Sequence, residues 1–165
     1  MQHVQPRSTT SALVLTAVLI ALTTLFTMYT KIPVPGIRGY FNVGDVVIMT
    51  SALLLGRKYG AYIGAIGPAL ADLFLGYAVF VPITFVVKGI EGYLVGTVYN
   101  HKTTTSALVA TIVGGIVIVA GYFIAEYFVF DPGVAIAGIL TNTIQAVMSV
   151  IISMILYAIL RKRLG

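Results

Sequence analysis

Long apolar runs separated by short polar breaks set the pattern of this chain. Six runs stand out, at 11–30, 43–55, 60–77, 80–99, 106–128 and 134–160. The breaks are Lys31 to Asn42, Gly56-Arg57-Lys58-Tyr59, Gly76-Tyr77-Ala78, Asn100 to Thr105, and Val129 to Gly133. Each carries the glycine, proline, asparagine or charge that punctuates helices. A helix needs about 20 apolar residues to cross roughly 30 Å of hydrocarbon. The pattern therefore predicts an all-α integral membrane protein with six transmembrane helices in a single membrane domain spanning 1–165.

Two runs are irregular. The second, of about 13 residues, rises only roughly 20 Å, so it tilts, begins earlier in the loop, or sits behind other helices. The third is threaded with Gly60, Gly64, Gly67, Ala69, Ala71 and Gly76, a surface that lets neighbouring helices approach closely. The first run is followed by Lys31-Ile32-Pro33 and not by a small-residue cleavage site, so it is expected to be retained as a helix. There is no convincing internal repeat, which weighs against an inverted-repeat transporter.

Composition narrows the chemistry. The chain is 59% hydrophobic and 9% charged, with a mean hydropathy of +1.02, values that belong to membrane proteins. The absence of cysteine excludes disulfides, thiolate ligands and thiol nucleophiles. His3 and His101 both fall in polar flanks, so no metal site is expected. The net charge of +5 comes from residues in turns and termini, the usual place for headgroup contacts and topology determinants, not a nucleic-acid footprint. With a cytoplasmic N-terminus, Arg7, Arg57, Lys58, Lys102, Arg161, Lys162 and Arg163 fall inside and only Lys31 and Arg38 outside. This asymmetry predicts that both termini are cytoplasmic and that Glu126 and Asp131 lie on the outer side.

Polar residues within the apolar runs are the candidates for function. Lys88 and Glu91 are three residues apart and share a helix face. A charge at the centre of a membrane helix costs about 2.5–3.5 kcal/mol on insertion scales. Either they face a polar site, the favoured reading, or they form a buried pair that locks two helices. Asp72 is expected chiefly as a partner for Lys88, while Pro82 and Thr84 suit helix initiation. Asn142 and Gln145, beside Thr141 and Thr143, offer donors and acceptors together, suited to a heterocycle or polyol or else to interhelical hydrogen bonding. Glu126 contributes a carboxylate or is simply solvated.

The segment 31–45, KIPVPGIRGYFNVGD, is the longest break. Gly36 and Gly39 permit tight reversals there. Tyr40 and Phe41 either cover a pocket mouth or anchor at the interface, and Asp45 or Asn42 is suited to cap the second helix, with capping favoured for Asp45. Ala17 and Ala21 form a small-residue strip whose default role is internal packing. There is no Walker loop, metal cluster or nucleophile with a histidine base, so the chain is not expected to be an enzyme or to hydrolyse ATP. The pattern suits binding.

Taken together, Ala17-x-x-x-Ala21, a long first loop running into YFNVGD, GPALADLFLG at 67–76 and KGIEGYLVG at 88–96 resemble the substrate-binding S component of energy-coupling factor (ECF) vitamin transporters. The resemblance covers nearly the whole chain. It implies a vitamin captured near the extracellular face of a prokaryotic plasma membrane, at a pocket to which Tyr40, Asn42, Lys88, Glu91, Glu126, Asn142 and Gln145 contribute. It also implies docking through Ala17 and Ala21 onto a transmembrane coupling subunit that carries two ATP-binding cassette ATPases. ATP and magnesium would then belong to those partners, with no cofactor in this chain. The texture of the third and fourth runs looks most like the hydroxymethylpyrimidine or pyridoxine group. The lack of tryptophan departs from thiamin-type members. Folate, pantothenate or riboflavin is the alternative cargo; a structural or accessory subunit clamped by Lys88, Glu91 and Asp72 is the alternative role.

Overall fold

The structure, a computed structural model, describes residues 9–33, 40–100 and 103–164. Gly36, Gly39, His3, His101, Arg7, Arg38 and Lys102, together with the side chain of Arg163, lie outside the described residues. Among the described residues six helices follow in order: α1 (Thr9–Tyr29), α2 (Gly44–Leu55), α3 (Arg57–Phe74), α4 (Phe80–Val98), α5 (Thr104–Val129) and α6 (Pro132–Leu164). Two short strands, β1 (Ile32–Pro33) and β2 (Tyr40–Phe41), pair antiparallel in the loop after α1, an addition to the all-α expectation.

Helices α1, α4, α5 and α6 are long and apolar enough to cross a membrane unaided. Helix α2 is not. Its 12 residues are nearly all buried, between α1, α3, α4 and α6. Of the three alternatives for this short segment, it sits behind its neighbours. The break predicted over 56–59 shrinks to one residue: Gly56 takes a φ of +89°, which a glycine adopts without penalty, and Arg57 already begins α3.

The small residues of α3 do what their spacing implied. A methyl group on Gly64 would stand 2.2 Å from the Lys88 carbonyl oxygen, and one on Gly92 would stand 2.1 Å from that of Gly60. Backbone thus meets backbone along α3 and α4, fixing where Lys88 and Glu91 project. On α1, Thr23, Thr24 and Thr27 are buried, and the Thr24 hydroxyl donates to the Gly67 carbonyl of α3 at 2.9 Å. Ala17 and Ala21 are exposed on that helix, so internal packing, their default expectation, is not their role.

The bundle has two chemically different ends. At one, Gly96 packs on Arg57, the Tyr99 and Tyr157 hydroxyls share a hydrogen bond, and Arg161 lies over the Tyr157 ring. At the other, Tyr40, Tyr77, Phe80 and Phe130 stack in sequence, with centroids 5.0, 6.3 and 5.3 Å apart. The ammonium of Lys31 lies 4.6 Å from the Tyr77 ring centre.

Candidate functional site

Beneath these aromatic rings lies a polar cavity lined by every helix except α2. Thr27 enters from α1, Pro68 and Asp72 from α3, Phe80, Thr84 and Lys88 from α4, and Tyr122 and Glu126 from α5. Gly138, Thr141, Asn142 and Gln145 enter from α6, with Tyr40 and Asn42 from the loop. About 530 Å³ among these residues is free of protein atoms, the space open to solvent at its mouth included. A larger hollow of about 1080 Å³ between α5 and α6 is lined by residues such as Ile116, Phe123, Val147 and Ile151 and carries no charged group. Size does not choose between them. A bilayer supplies apolar contacts everywhere, so the cavity that gathers polar groups is the one with something to recognise.

Lys88 is the centre of the polar network. Its ammonium donates to Asp45 Oδ1 at 2.5 Å and stands 3.5 Å from Glu91 Oε2. It also lies 5.4 Å from the Tyr122 ring centre. Asp45 Oδ2 accepts from Gln145 Nε2 at 2.7 Å, and Gln145 Oε1 accepts from the Asn42 amide at 3.0 Å. The chain of contacts thus runs from the loop through α6 and α2 to α4, and a buried charge is tolerated because its partners are fixed around it.

Two expectations are corrected here. Asp45 does not cap α2: Val43 is the N-cap residue, no side chain caps it, and Asn42 Oδ1 takes the Gly44 amide at 2.9 Å. Sitting inside the first turn, Asp45 turns its carboxylate to the one cation within reach. Asp72 is not the hydrogen-bonded partner of Lys88. It accepts the Tyr40 hydroxyl at 2.6 Å, joining the loop to α3. Burial, reinforced by the Asp72 carboxylate, holds the Tyr40 phenol above its ordinary pKa, so it remains a donor.

Six of the seven residues expected at a pocket share this cavity: Tyr40, Asn42, Lys88, Glu126, Asn142 and Gln145. Glu91 is fully buried beside Lys88 and off the cavity wall. Glu126 is not solvated but 3% exposed, and its Oε2 has no hydrogen-bond partner among the described residues. Thr84 does more than start α4, sharing a 3.0 Å hydrogen bond with Tyr122. Thr141 lines the cavity, whereas Thr143 faces the apolar hollow.

Sequence reasoning missed Thr27 and Tyr122 altogether. Thr16, Thr23, Thr27 and Thr30 fall on one helical face, a signal that marks the polar inner side of α1. Asp45 was visible as an ionisable residue in an apolar run. Its place near a helix start diverted it to capping.

Comparison with known proteins now meets this geometry. The family model described as "ECF-type riboflavin transporter, S component" matches residues 7–162. The chain belongs to the ECF S-component family. It is 30% identical over 152 residues to the thiamine precursor transporter HmpT of Lactococcus lactis, covering 91% of this chain and 87% of that one. An uncharacterized protein from the gap 3′ region of Pyrococcus woesei is 42% identical over 145 residues, covering 86% of this chain and 96% of its own. A solved S component of a bacterial ECF transporter shares the fold, with a TM-score of 0.81 at 22% identity over 96% of this chain and 99% of that one. As an S component the chain is a multi-pass membrane protein, the substrate-binding subunit for a vitamin-type compound. It is not an enzyme: such components work with a membrane coupling subunit and ATPases, where ATP hydrolysis resides. The accessory-subunit alternative gives way, although a buried clamp exists, with Asp45 in the place expected for Asp72.

Proposed function

We propose that this S component captures a single-ring vitamin or vitamin precursor, hydroxymethylpyrimidine or pyridoxine, in the cavity roofed by Tyr40. The observation that carries the reading is the cavity itself: polar groups from α3, α4, α5 and α6 converge on one space beneath Tyr40. A small ring with two or three polar substituents suits that space. Tyr40 and Tyr122 offer ring faces, and Asn42, Asn142 and Gln145 offer donors and acceptors. Lys88 contributes charge at the cavity floor, and Glu91 supports it from below. The likeness to a thiamine precursor transporter supports the pyrimidine.

The cavity opens outward in this proposal, with both termini inside and the whole chain acting as one membrane domain. In support, Arg57, Lys58, Arg161 and Lys162 belong to the end of the bundle away from the aromatic roof, as a cytoplasmic end would require. Ala17 and Ala21, exposed on α1, meet the coupling subunit. ATP and magnesium act in the partner ATPases, and this chain carries cargo alone.

Riboflavin is the second reading, favoured by the description of the matching family. A three-ring flavin with a polyol tail needs more room than a single ring, in a cavity that Tyr40 and Asp72, bonded to each other, both line. Native mass spectrometry of the detergent-purified chain, with thermal shifts against a vitamin panel, separates the two. A ligand at 100 times its Kd adds about 2.7 kcal/mol of stability. Hydroxymethylpyrimidine or pyridoxine is expected to give the largest shift. Stabilisation by riboflavin with none from any one-ring compound would overturn the proposal.

A further inference from the structure

The chain has five acidic residues, and four of them, Asp45, Asp72, Glu91 and Glu126, gather at or directly beneath this one cavity, each no more than 3% exposed. Lys88 is the single buried cation among the described residues. Its ammonium is committed to Asp45 and Glu91. Asp72 is served by neutral hydroxyls, those of Tyr40 and Thr84, with Lys88 acting on it only at longer range. Glu126 Oε2 has no hydrogen-bond donor among the described residues. A methyl group on Gly138 would stand 2.4 Å from that oxygen, so the missing side chain is what leaves the carboxylate its room. Where α1 lines the same cavity, the Thr27 hydroxyl is also buried without a hydrogen-bond partner among the described residues.

An orphaned carboxylate oxygen costs free energy unless something donates to it. The whole chain carries a net charge of +5, yet four of its five carboxylates gather here around one ammonium.

Resting on the single-ring reading above, we infer that Glu126 is a specificity residue for an amino-substituted nitrogen heterocycle, whose exocyclic amine donates to Oε2. The surplus carboxylates around the cavity favour a ligand that is cationic or strongly donating. This chemistry calls for a donor at Oε2, which the amine of an aminopyrimidine supplies with two N–H groups and a pyridoxine hydroxyl with one O–H. An oxo group in place of the amine would present an acceptor to a carboxylate, and two acceptors facing each other in a desolvated site strongly oppose binding.

The test is isothermal titration calorimetry of the full chain in detergent with 4-amino-5-hydroxymethyl-2-methylpyrimidine, its 4-oxo analogue, pyridoxine and riboflavin. The amino compound is expected to bind at least ~100-fold more tightly than the oxo analogue. In Glu126→Gln, whose amide both donates and accepts, that ratio is expected to fall to about tenfold or less. Gly138→Ala gives a second route, since it displaces the carboxylate without removing it, and it should lower the same ratio. An oxo analogue within about threefold of the amino compound overturns the inference and leaves the single-ring reading standing. So does a ratio unchanged in both variants. Binding of riboflavin alone overturns both.

Discussion

Replacing the partners of the Lys88 network one at a time, then together, tests whether Asp45 is the residue that makes this buried charge tolerable. At an effective dielectric of about 20, the 2.5 Å contact to Asp45 carries about 7 kcal/mol of attraction and the 3.5 Å contact to Glu91 about 5. Desolvation of several kcal/mol per ion offsets most of this. Lys88→Met forfeits both attractions and strands two carboxylates, so it is expected to destabilise by about 3–5 kcal/mol. Asp45→Asn keeps an acceptor for Lys88 and leaves Glu91 in place, so its cost is expected near 1.5–3 kcal/mol, the worth of a charged hydrogen bond. The double variant should be less destabilised than the sum of the two by at least ~1.5 kcal/mol. Equilibrium unfolding by SDS in mixed micelles, read by circular dichroism, supplies all three numbers. Additivity within about 0.5 kcal/mol would refute the pairing. The same cycle with Asp72→Asn is the control, since Asp72 is bonded to Tyr40, and its coupling to Lys88 should be less than half as large.

Tyr40→Phe removes the 2.6 Å donor to Asp72 and is expected to weaken ligand binding by about 1.5–3 kcal/mol, measured by calorimetry. Because the folded protein holds the Tyr40 phenol above its ordinary value of 10.0, its contribution to stability is fully present below that value and is lost as pH rises toward the folded pKa. Ligand affinity should therefore be level from about pH 6 to 9 as far as Tyr40 is concerned; a fall in that range that disappears in Tyr40→Phe would contradict the assignment. Ala17→Trp with Ala21→Trp is expected to abolish uptake in cells while leaving binding by the purified chain unchanged, and normal transport would dismiss the docking face. Gly64→Ala, whose methyl would meet the Lys88 carbonyl at 2.2 Å, is expected to cost at least ~1–3 kcal/mol, the range for overpacking, in the same SDS assay.

Much of this fold is legible in the sequence because a bilayer permits so few solutions. Apolar length locates helices, and the observed ends of α1, α2 and α4 fall within two residues of those expected. The candidate site was readable for the same reason, since lysine, glutamate and the carboxamides have little reason to be in lipid otherwise. Partnership was not readable. Spacing along one helix shows that Lys88 and Glu91 can touch, but whether Asp45 or Asp72 completes the network depends on the rotation and depth of α2 and α3. Those are set by glycine-to-backbone contacts that no periodicity records. The docking of Tyr40 on Asp72, 32 positions apart in sequence, is a product of the folded bundle alone.

The short α2 has a consequence for how the protein is made. A helix of 12 residues with a carboxylate in its first turn cannot rest in lipid as an independent segment while the remainder is synthesised. Its balancing ammonium lies 43 residues downstream, so during biogenesis Asp45 emerges well before Lys88 exists. The hairpin of α2 and α3, turned on Gly56, therefore has to be sheltered by the insertion machinery, or held at the interface, until α4 arrives. Membrane integration and tertiary folding cannot be separate stages for this part of the chain.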